Sequence, residues 1–359
     1  MGIKNLNSLI EKHSSNGKTK RHLSSFGDKV MAIDTNVYLY KYLYGKSNHI
    51  DGMFFMINKF KKFNIKPIFI FDGKPPNEKQ DTIKNRKIIR DRLKEKLLNL
   101  EAQLLLKEDL SEIQTLKDEI ENIEKKIMYV NKTVIDKTKE LFDLMGITYV
   151  SADCEAEHYC SKLCKLDLVD GVVSEDMDTV ACGSKLVIRN FTNKDDYVDC
   201  YTLDNILYDL DINYTSFIDL CILLGNDYNH RPRNLIPDEI YEIVKKHKSI
   251  ENILNKSIVT NWKCEYQSIR DIILLKDINI NVTKLINQYN KKFNIQSLTI
   301  FLKNNSTIDE KTYRHRINLI FNNSRILAKK ENIASIIDKN YGIKNKSYSN
   351  YNIQNTIDY

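Results

Sequence analysis

Residues Val30 to Ile33 form an unbroken apolar run that stops at Asp34, and Ile65 to Phe71 form a second that stops at Asp72 and the turn Gly73-Lys74-Pro75-Pro76. Runs this short and continuous predict buried parallel strands, each ending in a carboxylate. Gly171-Val172-Val173-Ser174 repeats the pattern as it enters Glu175-Asp176-Met177-Asp178, and Lys185 to Phe191 predicts a further strand. Helical stretches separate these runs, which places the chain in the α/β class, with a central, largely parallel twisted sheet flanked by helices. Reactive groups in such sheets gather beyond the carboxyl ends of the strands. Acids at three strand ends are therefore expected to face one crevice.

The period changes between about 77 and 145. Leu93, Leu97, Leu100 and Leu104, then Ile113, Leu116, Ile120, Ile123, Ile127 and Val130, follow heptad-like spacing. The stripe loses register around Lys107-Glu108-Asp109, and Ser111 with Gln114 three residues on reads as a capping box for a second helix. A coiled-coil dimer competes with an intramolecular hairpin here. Each arm holds only about two heptads, short of the three or four a coiled coil needs, so the hairpin is preferred. From Tyr201 to about Lys330 the pattern is mostly helical. Asn340 to Tyr359, rich in Asn, Tyr and Ser without periodicity, reads as a flexible tail.

The 359 residues are enough for about two structural units with a substantial core. No apolar run approaches the roughly 18 residues of a membrane span, so no membrane partner is expected. The start, MGIKNL, lacks the apolar stretch of a signal peptide and the Ser or Thr of a myristoylation motif. Seven scattered cysteines read as reduced thiols. Together these features point to an intracellular protein, with nucleus and cytoplasm both open. Abundant Lys, Asn and Ile fit an AT-rich genome and discount isolated lysines as binding signals. The net charge of +7 is modest, so its placement matters more than its size.

Seven acids stand out by position: Asp34, Asp72, Glu155, Glu157, Asp176, Asp178 and Asp227. Glu155 and Glu157 are expected to open a helix for which Asp153 is the N-cap. Asp227 follows the apolar run Cys221 to Leu224. Carboxylates gathered this closely repel one another unless cations neutralise them. Oxygen-only ligation favours Mg²⁺, with Mn²⁺ as a substitute, over zinc. A pair of such ions about 3.5 to 4 Å apart is the usual device for in-line phosphodiester displacement. A rival zinc reading uses Cys154, His158, Cys160 and Cys164. Cys160 and Cys164 are i and i+4 on an expected helix, so they fill core space instead of forming the turn-held pairs of zinc sites.

The basic counterpart lies between Lys74 and Lys96, where nine Lys or Arg stand against four Asp or Glu, a net of +5. Phosphate is the matching partner. Within this stretch Lys79 and Arg86 lie seven residues apart, on one face of a helix that directly follows the Asp72 loop.

MGIKNL, AIDTNVYLY around Asp34, FIFDGKPP around Asp72, LMGITYVSADCEAE ending at Glu157, SEDMDTVACGS around Asp176 and DLCILLGNDY around Asp227 occur in this order over roughly residues 1 to 250. The chain thereby resembles the flap endonuclease branch of the XPG-type structure-specific 5′ nucleases. The resemblance implies a PIN-like nuclease core formed by 1–86 and 136–228. It places a helical arch at 87–135 and a helical DNA-binding module at 229–330, with 331–359 as the tail. It also implies that the seven acids bind two divalent ions, with Glu175 as a neighbour of the set. Lys79 and Arg86 match the catalytic pair that holds the scissile phosphate. Tyr40 matches the aromatic that stacks on a base beside the cut, and Gly2 the glycine near the threaded strand. Tyr38 and Tyr44 lie close to Tyr40, and a packed core tyrosine is the competing reading for Tyr40 itself.

The sequence departs from the family at Arg231-Pro232-Arg233-Asn234. The family carries a Gly-x-Gly hairpin there, which cradles duplex phosphate and helps hold a monovalent cation. Neither glycine is present, which puts the cation site in doubt, and Arg231 and Arg233 stand as electrostatic substitutes. Gln354-x-x-Ile357-x-Tyr359 resembles a truncated sliding-clamp motif without its paired aromatics and basic tail. The expected activity is metal-dependent cleavage of branched or 5′-flap DNA by a monomer in replication, repair or recombination. A four-way-junction resolvase or a 5′ to 3′ exonuclease with the same chemistry, and a non-catalytic nucleic-acid-binding protein, are the alternatives.

Overall fold

The computed structural model describes residues 2–45, 47–107, 109–281, 293–327 and 352–353. Seven strands form one sheet in the order β1-β7-β6-β5-β2-β3-β4. They are β1 (Lys18–His22), β2 (Val30–Asp34), β3 (Lys66–Phe71), β4 (Thr148–Ser151), β5 (Gly171–Val173), β6 (Leu186–Arg189) and β7 (Tyr197–Thr202). The five strands from β6 to β4 are mutually parallel, while β7 pairs antiparallel with both β6 and β1. The chain winds outward through β2, β3 and β4, then returns to the other side of β2 to lay down β5 and β6. The reversal between β2 and β5 is where a crevice opens in such sheets.

The helices follow in chain order: α1 (Leu6–His13), α2 (Thr35–Tyr44), α3 (His49–Lys62), α4 (Gln80–Leu104), α5 (Leu110–Ile127), α6 (Lys132–Leu144), α7 (Ala156–Lys165) and α8 (Asp178–Ala181). Then come α9 (Leu203–Leu210), α10 (Tyr214–Leu224), α11 (Pro237–His247), α12 (Ile250–Asn255), α13 (Tyr266–Ile273), α14 (Ile295–Asn305) and α15 (Glu310–Leu327).

Side-chain alternation sets which acids can meet. Met31 and Ile33 of β2, Phe69 and Phe71 of β3 and Val173 of β5 enter the core built with α3 and α6. Val30 and Ala32, Ile68 and Ile70, and Val172 enter the opposite core, beneath α7. With a period of two, Asp34, Asp72 and Ser174 continue the α7 side of their strands. A third core joins α1 and α8 to the helices after β7. There the buried Asp219 of α10 is held by Arg270 of α13 at 2.7 Å, and Arg270 also reaches Glu251 of α12 at 2.9 Å.

The strands expected around Asp34, Asp72, Ser174 and Lys185 are β2, β3, β5 and β6. β1, β4 and β7 carry no apolar run and went unread. β1, KTKRH, is an edge strand with an exposed middle, and β7 alternates. Cys160 and Cys164 are buried in the core under α7. α4 and α5 pack on each other as a hairpin within one chain, joined by Lys96 and Glu119 at 2.6 Å. The hairpin begins at Gln80, so α4 runs through the 86/87 boundary drawn from sequence. Two capping expectations are corrected. Asp109, not Ser111, caps α5, accepting from the Ser111 and Glu112 amides, and Gln114 turns to Asp118. Asp153 does not cap α7, whose N-cap position is Glu155. The tail lies outside the described residues except Asn352–Ile353, which pair with Ile280–Asn281. The clamp-like residues Gln354, Ile357 and Tyr359 lie outside them as well.

Candidate active site

The carboxyl ends of β2, β3 and β5 open into a cavity of about 610 Å³ lined by Asp34, Asp72, Glu155, Glu157, Asp176 and Asp227. Asp178 stands behind this wall; its carboxylate lies within 4.8 Å of ligand atoms of Glu157 and Asp176. The structure thus brings all seven acids together from five chain segments. The facing wall comes from α4 and the end of α5, with Ile83, Arg86, Ile89, Arg90, Lys126 and Tyr129. Arg90 lies over the Tyr129 ring at 4.9 Å.

Each acid is held by its local fold. Asp34 is the N-cap of α2. Ser174 donates its hydroxyl to Asp34 at 3.0 Å and accepts the Asp176 amide at 3.0 Å, and Asp176 accepts the Asp178 amide at 3.1 Å. Asp72 accepts the Ala156 amide at 2.8 Å, so the helix that carries Glu157 is capped from across the sheet. Gly73 allows that approach, since a Cβ there would stand 2.1 Å from the Ala152 carbonyl oxygen. The Ile3 amide donates to Asp178 at 2.7 Å. Gly2 has φ +83, and a Cβ on it would stand 2.0 Å from Asp176 Oδ1.

Crowding and burial leave an electrostatic mark. Burial, reinforced by Asp72, pushes the Asp34 carboxyl up to about 8. Burial and then neighbouring acids hold Glu157 and Asp178 well above the usual carboxylate range. Burial also raises Asp72 and Asp176. Asp227 goes the other way, because Lys79 and Arg86 outweigh its burial and keep it low. Lys79 Nζ lies 2.5 Å from Glu155, 3.3 Å from Asp227 and 3.8 Å from Glu157. Arg86 lies 2.9 Å from Asp227. Lys79 and Arg86 are therefore the chain's own counter-charges to the pit. Glu157 Oε1 is buried and has no hydrogen-bond partner among the described residues. The donors of the group Glu157, Asp176 and Asp178 are all oxygen, and such a set suits a hard divalent cation.

Tyr40 lines the cavity and stacks on Tyr44, with ring centroids 6.2 Å apart, whereas Tyr38 is a core residue. Glu175 pairs with Lys41 at 3.0 Å and accepts the Asn190 amide. Arg231 and Arg233 line a separate basic pocket with Lys4, Asn5 and His230. Sequence reading missed Ser174, the Ile3 amide and Tyr228. Only Ser174 left a signal, its place on the same strand face as Asp34. Tyr228 donates to Glu155 Oε2 at 3.1 Å and lies 3.3 Å from His158 Nε2. Burial brings the His158 imidazole down to about 4.

Comparison with known proteins agrees with this geometry. The XPG N-terminal domain matches residues 1–93 and the XPG I-region residues 146–227. Flap endonuclease 1 of Encephalitozoon cuniculi is 32% identical over 78% of this chain and 85% of its own length. Flap endonuclease-1 from Methanococcus jannaschii superposes with a TM-score of 0.62 at 23% identity, covering 88% of this chain and 98% of its own. The catalytic core of Rad2 in complex with DNA substrate gives 0.59 at 23%, covering 88% and 99%. These last two likenesses show the shared fold. The chain belongs to the flap endonuclease branch of the XPG family of hydrolytic nucleases.

Proposed function

We propose that the chain cuts branched DNA carrying a 5′ flap, near the junction of single strand and duplex, leaving a 5′-phosphate and a 3′-hydroxyl. The supporting observation is the convergence of seven carboxylates on one crevice whose other wall is a basic helical hairpin. Asp34, Asp72, Glu155, Glu157, Asp176, Asp178 and Asp227 would hold a pair of Mg²⁺ ions, with Mn²⁺ as a substitute. When bound, such ions activate water and take up charge on the leaving oxygen.

The chain's own residues do the rest. Lys79 and Arg86 swing between the acids and the non-bridging oxygens of the scissile phosphate, where they stabilise charge that grows in the transition state. Tyr40 stacks on a base beside the cut, a sequence-tolerant contact suited to an enzyme that selects shape. Ser174 and the Ile3 amide keep Asp34 and Asp178 aimed inward. Gly2 leaves room against Asp176 for the strand. Arg231 and Arg233, with Lys4 and His230 beside them, grip duplex phosphate in the helical module of 229–330. The enzyme acts as a monomer.

A panel of labelled 5′ flap, four-way junction, nicked duplex and single-stranded DNA, at equal protein and with or without chelator, tests this reading. The flap is expected to be cut fastest, chelator to stop the reaction, and Asp176→Ala to abolish cleavage with DNA binding retained. Faster cutting of the junction would reassign the substrate and keep the chemistry. Magnesium-dependent product from none of the four would contradict the activity.

A further inference from the structure

His158 is a buried imidazole that the reaction above does not use. It is 3% exposed and lies in the first turn of α7 directly after Glu157. Its Nε2 is 3.3 Å from the Tyr228 hydroxyl, which is 3.1 Å from Glu155 Oε2. The two rings stack with centroids 6.5 Å apart at an angle of 28°. An ionised carboxylate only accepts, so Tyr228 spends its one proton on Glu155. The tyrosine oxygen then accepts from His158, which selects the Nε2–H tautomer of the imidazole. The resulting order is His158 N–H to Tyr228 O–H to Glu155. It crosses from α7 to the segment after α10 and ties Glu155 to the immediate neighbour of Asp227. It also divides the labour of the Glu155 carboxylate: Oε2 is held by Tyr228, while Oε1 faces Lys79 at 2.5 Å in the crevice.

We propose that His158 and Tyr228 form a positioning relay that fixes the Glu155 rotamer, so that the metal affinity of the crevice depends on an imidazole that acts through the Tyr228 hydroxyl. The relay rests on the reading that Glu155 belongs to the metal-holding set. Supporting hydrogen bonds of this kind change metal affinity by about 10- to 100-fold, because a ligand free to rotate must be ordered again on binding. The same imidazole is what makes the zinc reading tempting from sequence. In the structure its Nε2 is engaged with Tyr228, and Cys160 and Cys164 belong to the core beneath α7.

The test is Mn²⁺ titration of the full chain without DNA, followed by electron paramagnetic resonance of the free ion, on the parent, His158→Leu, His158→Gln, Tyr228→Phe and the Leu/Phe double variant. His158→Leu and Tyr228→Phe should each weaken binding about tenfold, and the double variant no more than either alone, because both break one chain. His158→Gln, which keeps a donor toward Tyr228, should stay within about twofold of the parent. The Mg²⁺ half-saturation of cleavage should move in parallel. Unchanged affinity in both single variants, or losses that add in the double variant, would overturn the relay. A parent protein that binds no Mn²⁺ would instead sink the metal reading and the relay with it. Should His158→Leu fail to fold, Tyr228→Phe, which removes one oxygen atom, decides the matter alone.

Discussion

Asp72 accepts the backbone amide of Ala156 at 2.8 Å, so one carboxylate both faces the catalytic crevice and caps the helix that carries Glu157. The two duties can be separated. Asp72→Asn keeps an oxygen for the amide and removes the charge, and relief of repulsion from Glu155 should leave the thermal midpoint unchanged or raised. Its cleavage rate should fall by more than the about 100-fold that loss of a supporting contact costs. Asp72→Ala should lose as much activity and in addition about 1 kcal/mol of stability from the missing cap. Denaturant unfolding of the two variants side by side checks this; equal stability would show that the cap is idle.

Gly2 is constrained twice, by its positive φ and by the 2.0 Å between a Cβ and Asp176 Oδ1. Gly2→Ala should therefore displace Asp176 or the Ile3 amide that holds Asp178. A shift of about 1 Å at reacting groups costs on the order of 100-fold in rate. Single-turnover cleavage at saturating magnesium measures it, and a parent-like rate would show that the segment has room.

The raised carboxyls give the sign of the pH dependence. Asp34 moves from 3.8 to about 8, and Glu157 and Asp178 move the same way. Between these limits the folded protein retains protons that the unfolded chain releases, so metal-free stability is greatest at low pH and falls as pH rises toward 8. Divalent ions need the ionised carboxylates and should restore what is lost. In chelator the melting temperature should drop by several degrees from about pH 5 to about pH 8, and the rise produced by Mg²⁺ should be larger at the higher pH. A magnesium effect equal at both ends would contradict the coupling.

Arg231 and Arg233 share a basic pocket with Lys4 and His230. If each arginine meets one phosphate, the double alanine variant should weaken flap binding and lower the log–log salt slope by about 2, roughly 0.9 per contact. A slope unchanged in fluorescence anisotropy would remove these residues from the interface.

Part of the crevice was legible because Asp34 and Asp72 end continuous apolar strands, and alternation along β2, β3 and β5 carries Asp34, Asp72 and Ser174 to one side. The contacts that orient those acids were not legible, since they join residues far apart in sequence: Asp72 with Ala156, Ile3 with Asp178, Tyr228 with Glu155. No local pattern announces them. The strands that went unread fail the same pattern from the other side: β1 is polar and lies at the sheet edge beside β7, while β4 and β7 alternate. Arg86 was readable as part of a basic helix face, but Lys79 is not on that helix: it is buried in the 3-10 turn Asn77–Lys79 before α4, and the approach of both to Glu155 and Asp227 depends on where the chain departs from β3.

Anomalous diffraction from a crystal soaked in Mn²⁺ measures most directly what the crevice does. Two peaks among Asp34, Asp72, Glu155, Glu157, Asp176, Asp178 and Asp227, one of them within coordination distance of Glu157, Asp176 and Asp178, are the predicted result. Manganese found only elsewhere on the protein, with these carboxylates bare at saturating ion, would contradict it.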